Sequence, residues 1–127
     1  MLIYLASPYT HPSSAIRQAR FEAVCEVAGR LMKKGLHVFS PIAHTHCIAL
    51  MAGLPSDIRY WQEYDTKILS RCDELWVCTL DGWLQSSGVE FEINLARKIP
   101  IPVRMIGIHD SEPHPKQRSA SASSPHR

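Results

Sequence analysis

The stretch Glu74-Leu75-Trp76-Val77-Cys78-Thr79-Leu80 decides the fold. Taken as a strand, it puts apolar side chains on both alternating faces, so neither face is suited to water. Strands of this kind belong inside a parallel sheet covered by helices. The flanks agree with that reading. Upstream, the segment Ser56–Cys72 has helical spacing, with Ile58, Trp61, Ile68 and Leu69 on its inner stripe and Ser56 or Asp57 opening it. Downstream, Asp81-Gly82 turns the chain, and Ser87 with Glu90 reads as a capping box for a helix over Gly88–Ile99. Val89, Ile93 and Ala96 point inward from it, Pro100 ends it, and Val103–Ile108 reads as the last strand.

Further upstream, Met1–Ala6 is an apolar first strand ending at Ser7-Pro8. Pro12-Ser13-Ser14 starts a helix with either serine as cap, and Ile16, Ala19, Ala23, Val27 and Leu31 form its stripe. Lys33-Lys34-Gly35 closes it, as basic last turns followed by glycine do. Leu36–Ser40 is a second strand stopped by Pro41, and a loop carrying His44, His46 and Gly53-Leu54-Pro55 follows. The order is strand, helix, strand, loop, helix, strand, helix, strand, which implies an α/β fold with a parallel sheet and helices on both faces. Active sites in such folds lie at the carboxyl ends of the strands, here Ala6–Thr10, Ser40–His46 and Leu80–Gly88. Residues 1–108 therefore read as one domain, and 109–127, rich in serine and proline, as a disordered tail.

The bulk numbers exclude several classes. The formal charge of +2 over 127 residues leaves no footprint of a nucleic-acid groove. No apolar run approaches the roughly 20 residues of a membrane span, and the opening MLIYLASPY lacks the basic start of a signal peptide. Cys25, Cys47, Cys72 and Cys78 form no CxxC pair and read as reduced, mostly buried thiols of a cytoplasmic protein.

Two acids interrupt the apolar stripes. Asp65 lies four residues after Trp61 and three before Ile68; Glu92 lies three after Val89 and four before Ala96. Helical spacing therefore turns both inward. Unpaired charge against a core is costly, so a cleft is expected where they meet. The bland alternatives are a rotated helix face that leaves Asp65 in solvent and a surface Glu92 beside Glu90. His44-x-His46-Cys47 offers at most two metal ligands from an extended loop, where a structural zinc takes four, so no metal is expected. Trp61, Trp76 and Trp83 are first of all packing residues, with Trp83, beside a strand-end turn, the best placed to touch a ligand.

The run Ile3-Tyr4-Leu5-Ala6-Ser7-Pro8-Tyr9, then Asp65, Cys72-Asp73 before an apolar strand, and Ser86-x-Gly88-x-x-x-Glu92 resembles the nucleoside 2-deoxyribosyltransferase superfamily, which includes 2'-deoxynucleoside 5'-monophosphate N-glycosidases. The resemblance spans roughly residues 1–108. It implies a flavodoxin-like three-layer fold with a parallel sheet of four or five strands. It also implies an enzyme that cleaves or transfers at the base–sugar bond, with Glu92 as nucleophile, Asp65 meeting the nucleobase and Tyr4 orienting Glu92. Ser86 falls where monophosphate hydrolases carry a phosphate-contacting serine, and Gly88 where a glycine lets the loop approach the sugar. Ser7, Tyr9, His44 and Trp83 complete the expected substrate-binding set. The stretch Ser7–His11 lacks arginine and lysine, so phosphate would meet a helix N-terminus, Ser86 or the backbone near Gly88, with Arg17 or Arg20 assisting.

The expected ligand is a small nucleoside or nucleotide, with no cofactor, no nucleic-acid polymer and no membrane. A homo-oligomer, dimer or tetramer, is expected, with the apolar Ser56–Cys72 helix suited to its interface. A non-catalytic nucleotide-binding or sensing domain with the same cleft is the rival, because fold alone does not separate the two.

Overall fold

The computed structural model describes residues 1–115; residues 116–127, most of the expected tail, lie outside the described residues. The chain runs β1 (Leu2–Ala6), α1 (Ser14–Lys33), β2 (His37–Phe39), α2 (Pro41–Ala52), α3 (Ile58–Leu69), β3 (Glu74–Cys78), a short 3-10 turn (Trp83–Gln85), α4 (Ser87–Lys98), β4 (Val103–Ile106) and β5 (His114–Pro115). The strands form one sheet in the order β2-β1-β3-β4-β5. Its first four strands are parallel, and β5 pairs antiparallel with β4. The sheet is therefore mixed, and part of the segment read as tail belongs to its edge.

Strand alternation divides the core between two faces. Ile3, Leu5, Trp76, Cys78 and Ile106 pack with Val24, Val27, Ala28 and Leu31 of α1. Tyr4, Ala6, Leu75, Val77 and Met105 pack with Leu69 of α3 and Val89 and Ala96 of α4. The double-sided burial read from ELWVCTL is present: Leu75, Trp76, Val77 and Cys78 are all buried. At the base of the sheet, Leu2 N donates to Asp73 Oδ2 at 2.7 Å and Asp73 N to Leu2 O at 2.8 Å, aligning β1 beside β3.

Four more expectations, on the helices, need correction. The segment after β2 is the helix α2, not a loop. Ser40 caps it, its Oγ accepting from Ala43 N at 3.1 Å, Pro41 stands in the first turn, and Gly53 closes it at φ 64°. Proline pre-set for a first turn and glycine just past the last are the two ends of a helix. The lack of a clean stripe hid it, because PIAHTHCIALMA is apolar nearly all round. Next, α1 opens at Ser13, and its first turns lie against α2 rather than over the sheet. Ile16 and Ala19 are exposed there, while Val24, Val27, Ala28 and Leu31 form the buried stripe. In α3, Asp57 is the cap and Ile58, in the first turn, is exposed instead of inward. Finally, Ser86 caps α4 in place of Ser87, its Oγ accepting from Val89 N at 3.1 Å.

The last parallel strand stops at Ile106, short of Ile108, because Gly107 N donates to Asp110 Oδ2 at 3.0 Å and turns the chain. Arg30 of α1 then donates to the carbonyl oxygens of Ile108 and Asp110, holding the turn against the helix.

Candidate functional site

The strand order places β1 and β3 side by side while their following connections leave toward opposite edges, β1 to β2 and β3 to β4. Such a switch point opens a crevice at the carboxyl ends of the two strands. Tyr4 points from β1 to the α3–α4 face and is completely buried. Its Oη donates to Glu92 Oε2 at 2.5 Å across a separation of 88 residues. Glu92, from the second turn of α4, is only 5% exposed. Asp65, half-buried on α3, is the neighbour of both Glu92 and Tyr4, near enough to shift their titration. The inward placement of both acids is therefore present, and the three side chains converge.

Electrostatics follow from that convergence. Burial pushes the Glu92 carboxyl above its ordinary range, and the neighbouring Asp65 charge pushes it further; the Tyr4 hydrogen bond pulls the other way. Burial also raises Asp65, against the lowering effect of the neighbouring Glu92 and Tyr4. Tyr4 is held above its ordinary value by burial and by both acids, so it stays protonated as a fixed donor. Two adjacent buried carboxyls cannot easily both ionise, so the pair shares a proton. Such a pair can supply one carboxylate and one acid to the same bound molecule.

The remaining expected site residues lie at the carboxyl edge, and no hydrogen bond among the described residues joins them to the three. Ser7, directly after β1 and 7% exposed, has a buried Oγ with no partner, the only such side-chain oxygen or nitrogen among the described residues. A buried hydroxyl without a partner is costly and calls for a ligand or a water. His44 is exposed on α2, 5.6 Å from the Phe39 ring, which lies 6.2 Å from Tyr4, so an aromatic run leads outward from the acids. Ser86 uses its oxygen to cap α4 and retains its proton. A Cβ on Gly88 would meet nothing closer than Ser86 Oγ at 3.8 Å, so no contact among the described residues requires glycine there. Trp83 is half-buried in the 3-10 turn and packs on the α4-side core.

Tyr9 bonds to His46 Nδ1 at 2.6 Å, an arrangement that reading His46 as a loop residue concealed. A second unforeseen contact is Arg20, whose guanidinium donates to Thr10 O at 3.0 Å and Asp81 O at 3.5 Å, bracing the loops after β1 and β3. Gly82 at φ 96° leaves the space that guanidinium occupies. The Asp81-Gly82 pair was the available signal. Arg17 donates to the carbonyl oxygens of His11 and Pro12, holding the same loop.

The two histidines of the HxH run face different neighbours, and no group of three His, Cys, Asp or Glu among the described residues could hold a metal ion. Cys72 and Cys78 are buried, and burial pushes their thiols up to about 11 and about 12; Cys25 is half-buried and Cys47 exposed, so the thiols are less uniformly hidden than expected. No helix among the described residues is long and apolar enough to cross a membrane.

Fold and site define a mostly parallel α/β domain with a carboxylate pair on the helix-covered face beside its switch point. Residues 1–108 match the family model described as a domain of unknown function, DUF1937, and the chain belongs to that family. No curated protein matches the chain.

Proposed function

We propose that the chain is a flavodoxin-like N-glycosidase or 2-deoxyribosyltransferase-like enzyme that cleaves the base–sugar bond of a small nucleoside or nucleotide. The observation that carries the reading is the buried Tyr4–Glu92 hydrogen bond of 2.5 Å with the Asp65 carboxyl beside it. The parallel strands keep the order 2-1-3-4 of the flavodoxin-like class, which binds ligands at the switch point, and the short antiparallel β5 departs from it. The likeness of Tyr4, Asp65, Ser86, Gly88 and Glu92 to the nucleoside 2-deoxyribosyltransferase superfamily supports the same assignment.

In this reading the Glu92 carboxylate attacks the anomeric carbon as the C–N bond breaks, and the bonding pair leaves with the base. The base takes a proton from the Asp65 carboxyl. Water, or a second base, then displaces Glu92 from the sugar, and the proton released returns to the carboxyl pair. Tyr4 donates to Glu92 throughout, favouring its ionised form and holding its direction. The attack needs the negative charge on Glu92 and the shared proton on Asp65. Ser7, Ser86 and Gly88 lie where the sugar or a phosphate would rest, and His44, Tyr9 and Trp83 around the rim. No step of this scheme calls for a cofactor.

One observation favours the rival, a nucleotide-binding or sensing domain without turnover. Glu92 is nearly inaccessible and biased to its neutral form, which suits a structural hydrogen bond as well as a nucleophile. The experiment is incubation with a panel of 2'-deoxynucleosides and their 5'-monophosphates, followed by chromatography for free base. Release that falls at least a thousandfold in Glu92→Gln, roughly 4 kcal/mol of transition-state stabilisation, is the expected result. Binding without release points to the rival. We also infer a homo-oligomer, dimer or tetramer, because Ile48, Leu50, Met51, Ile58 and Tyr60 are exposed along α2 and α3, and a cytoplasmic location, because Cys25, Cys47, Cys72 and Cys78 are all free thiols.

A further inference from the structure

Among the buried groups the proposed mechanism leaves unused, His46 is the most constrained. It projects from α2, is 5% exposed, and stacks on Phe21 of α1 at a centroid distance of 4.1 Å. Its Nδ1 lies 2.6 Å from Tyr9 Oη and its Nε2 lies 3.0 Å from Gln18 Oε1. Gln18 in turn donates from Nε2 to Glu22 Oε2 at 3.0 Å, an i,i+4 pair on α1.

This chain has a direction. An ionised Glu22 carboxylate only accepts, so the Gln18 amide nitrogen faces it and the amide oxygen faces His46. The oxygen can only accept, so His46 Nε2 carries the proton. In a neutral imidazole the other nitrogen is then bare, and Tyr9 must donate to it. The phenol is thereby left with its oxygen lone pairs and no proton to offer elsewhere. Burial raises Tyr9 above its ordinary value, so the proton the bond needs is retained, though the Arg17 guanidinium beside it works the other way. The loop that carries Tyr9 is held on both sides, at Thr10 by Arg20 and at His11 by Arg17.

We propose that His46 is a positioning residue that fixes the half-buried Tyr9 phenol as a hydrogen-bond acceptor at the rim of the crevice, so that Tyr9 selects ligands presenting an O–H or N–H donor, either a sugar hydroxyl or an exocyclic amine of the base. The inference rests on the reading of the crevice as a nucleoside or nucleotide site, but its first test does not.

That test is a long-range imidazole nitrogen–proton NMR correlation on the full chain. The expected spectrum shows His46 with a bare Nδ1 and a protonated Nε2; the opposite tautomer, or an imidazolium at neutral pH, overturns the proposal. The second test uses 2'-deoxyadenosine as probe. Tyr9→Phe is expected to raise its KM, or its Kd if no base is released, roughly fivefold to tenfold with kcat held. Repeating this with an adenosine analogue lacking every sugar hydroxyl, and with the purine deoxyriboside lacking the 6-amine, locates the donor. The penalty disappears with whichever group Tyr9 contacts. A penalty undiminished for both analogues, or none for 2'-deoxyadenosine, overturns the proposal.

His46→Asn places Oδ1 where Nδ1 accepted and is expected to keep the wild-type value, whereas His46→Leu matches Tyr9→Phe. Should His46→Leu fail to fold, Tyr9→Phe and His46→Asn decide between them; an Asn variant as weak as Tyr9→Phe counts against the proposal. Unchanged binding differences without any base release would sink the catalytic reading alone, and failure of all three probes to bind would sink this one.

Discussion

Glu92 occupies a position that an apolar side chain would fill in most helices of this kind, between Val89 and Ala96, which are both buried. Its carboxyl, like that of Asp65, titrates above the ordinary carboxylate range because burial disfavours charge there. For groups raised in this way the folded state binds protons more tightly than the unfolded chain. Their stabilising effect is complete below the unfolded pKa and is lost as pH rises through the folded one. The protein is therefore expected to lose stability between about pH 5 and about pH 8, a span in which exposed carboxylates no longer titrate. Glu92→Gln keeps an oxygen to accept from Tyr4 and an amide to donate to Asp65. It should flatten that slope and stabilise the protein at the alkaline end by roughly 1 kcal/mol or more, read by urea unfolding at the two pH values. A slope unchanged in the variant would mean that some other group sets it. Inward spacing made Asp65 and Glu92 legible from the sequence. The partnership of Tyr9 with His46 was not, since it joins residues 37 apart through a helix without a helical stripe.

The elements explain which features could be read. β3 announced itself because its burial depends on alternation within one short run, and α4 because Val89, Glu92 and Ala96 keep a single face. α2 shows no stripe because its apolar side chains ring the helix, with Ile48, Leu50 and Met51 exposed and only Pro41, Thr45 and His46 buried; its cap Ser40, Pro41 and Gly53 are the remaining signal. The 3-10 turn after β3 depends on Gly82, which combines φ 96° with room for the Arg20 guanidinium. Gly82→Ala should strain the backbone and displace Arg20, costing roughly 1–2 kcal/mol in denaturant unfolding. Gly29→Ala, inside α1 with open space around its Cβ, should instead gain up to about 1 kcal/mol. Equal effects at the two glycines would contradict the bracing role given to Arg20.

For the whole molecule, the alternation of strands with helices along the chain was enough to imply an α/β domain built on parallel strands. The antiparallel β5 was not legible, because two residues after a polar turn carry no periodicity; Arg30, Lys34 and Asp110 secure that segment from outside it. The exposed apolar side chains of α2 and α3, Met51 at 89% above all, are a surface to be covered by a second copy in the proposed assembly. Sedimentation should show a dimer or larger for the native chain and a monomer for the double variant Met51→Glu, Ile58→Glu; a native monomer would remove the oligomer from the account. The central claim, that Glu92 bonds covalently to a sugar, is tested most directly by acid-quenching the protein with a cleavable 2'-deoxynucleoside 5'-monophosphate and weighing its peptides. The account predicts one deoxyribosyl phosphate on the peptide carrying Glu92, absent from Glu92→Gln. Base released without any adduct there, or an adduct on another residue, would contradict it.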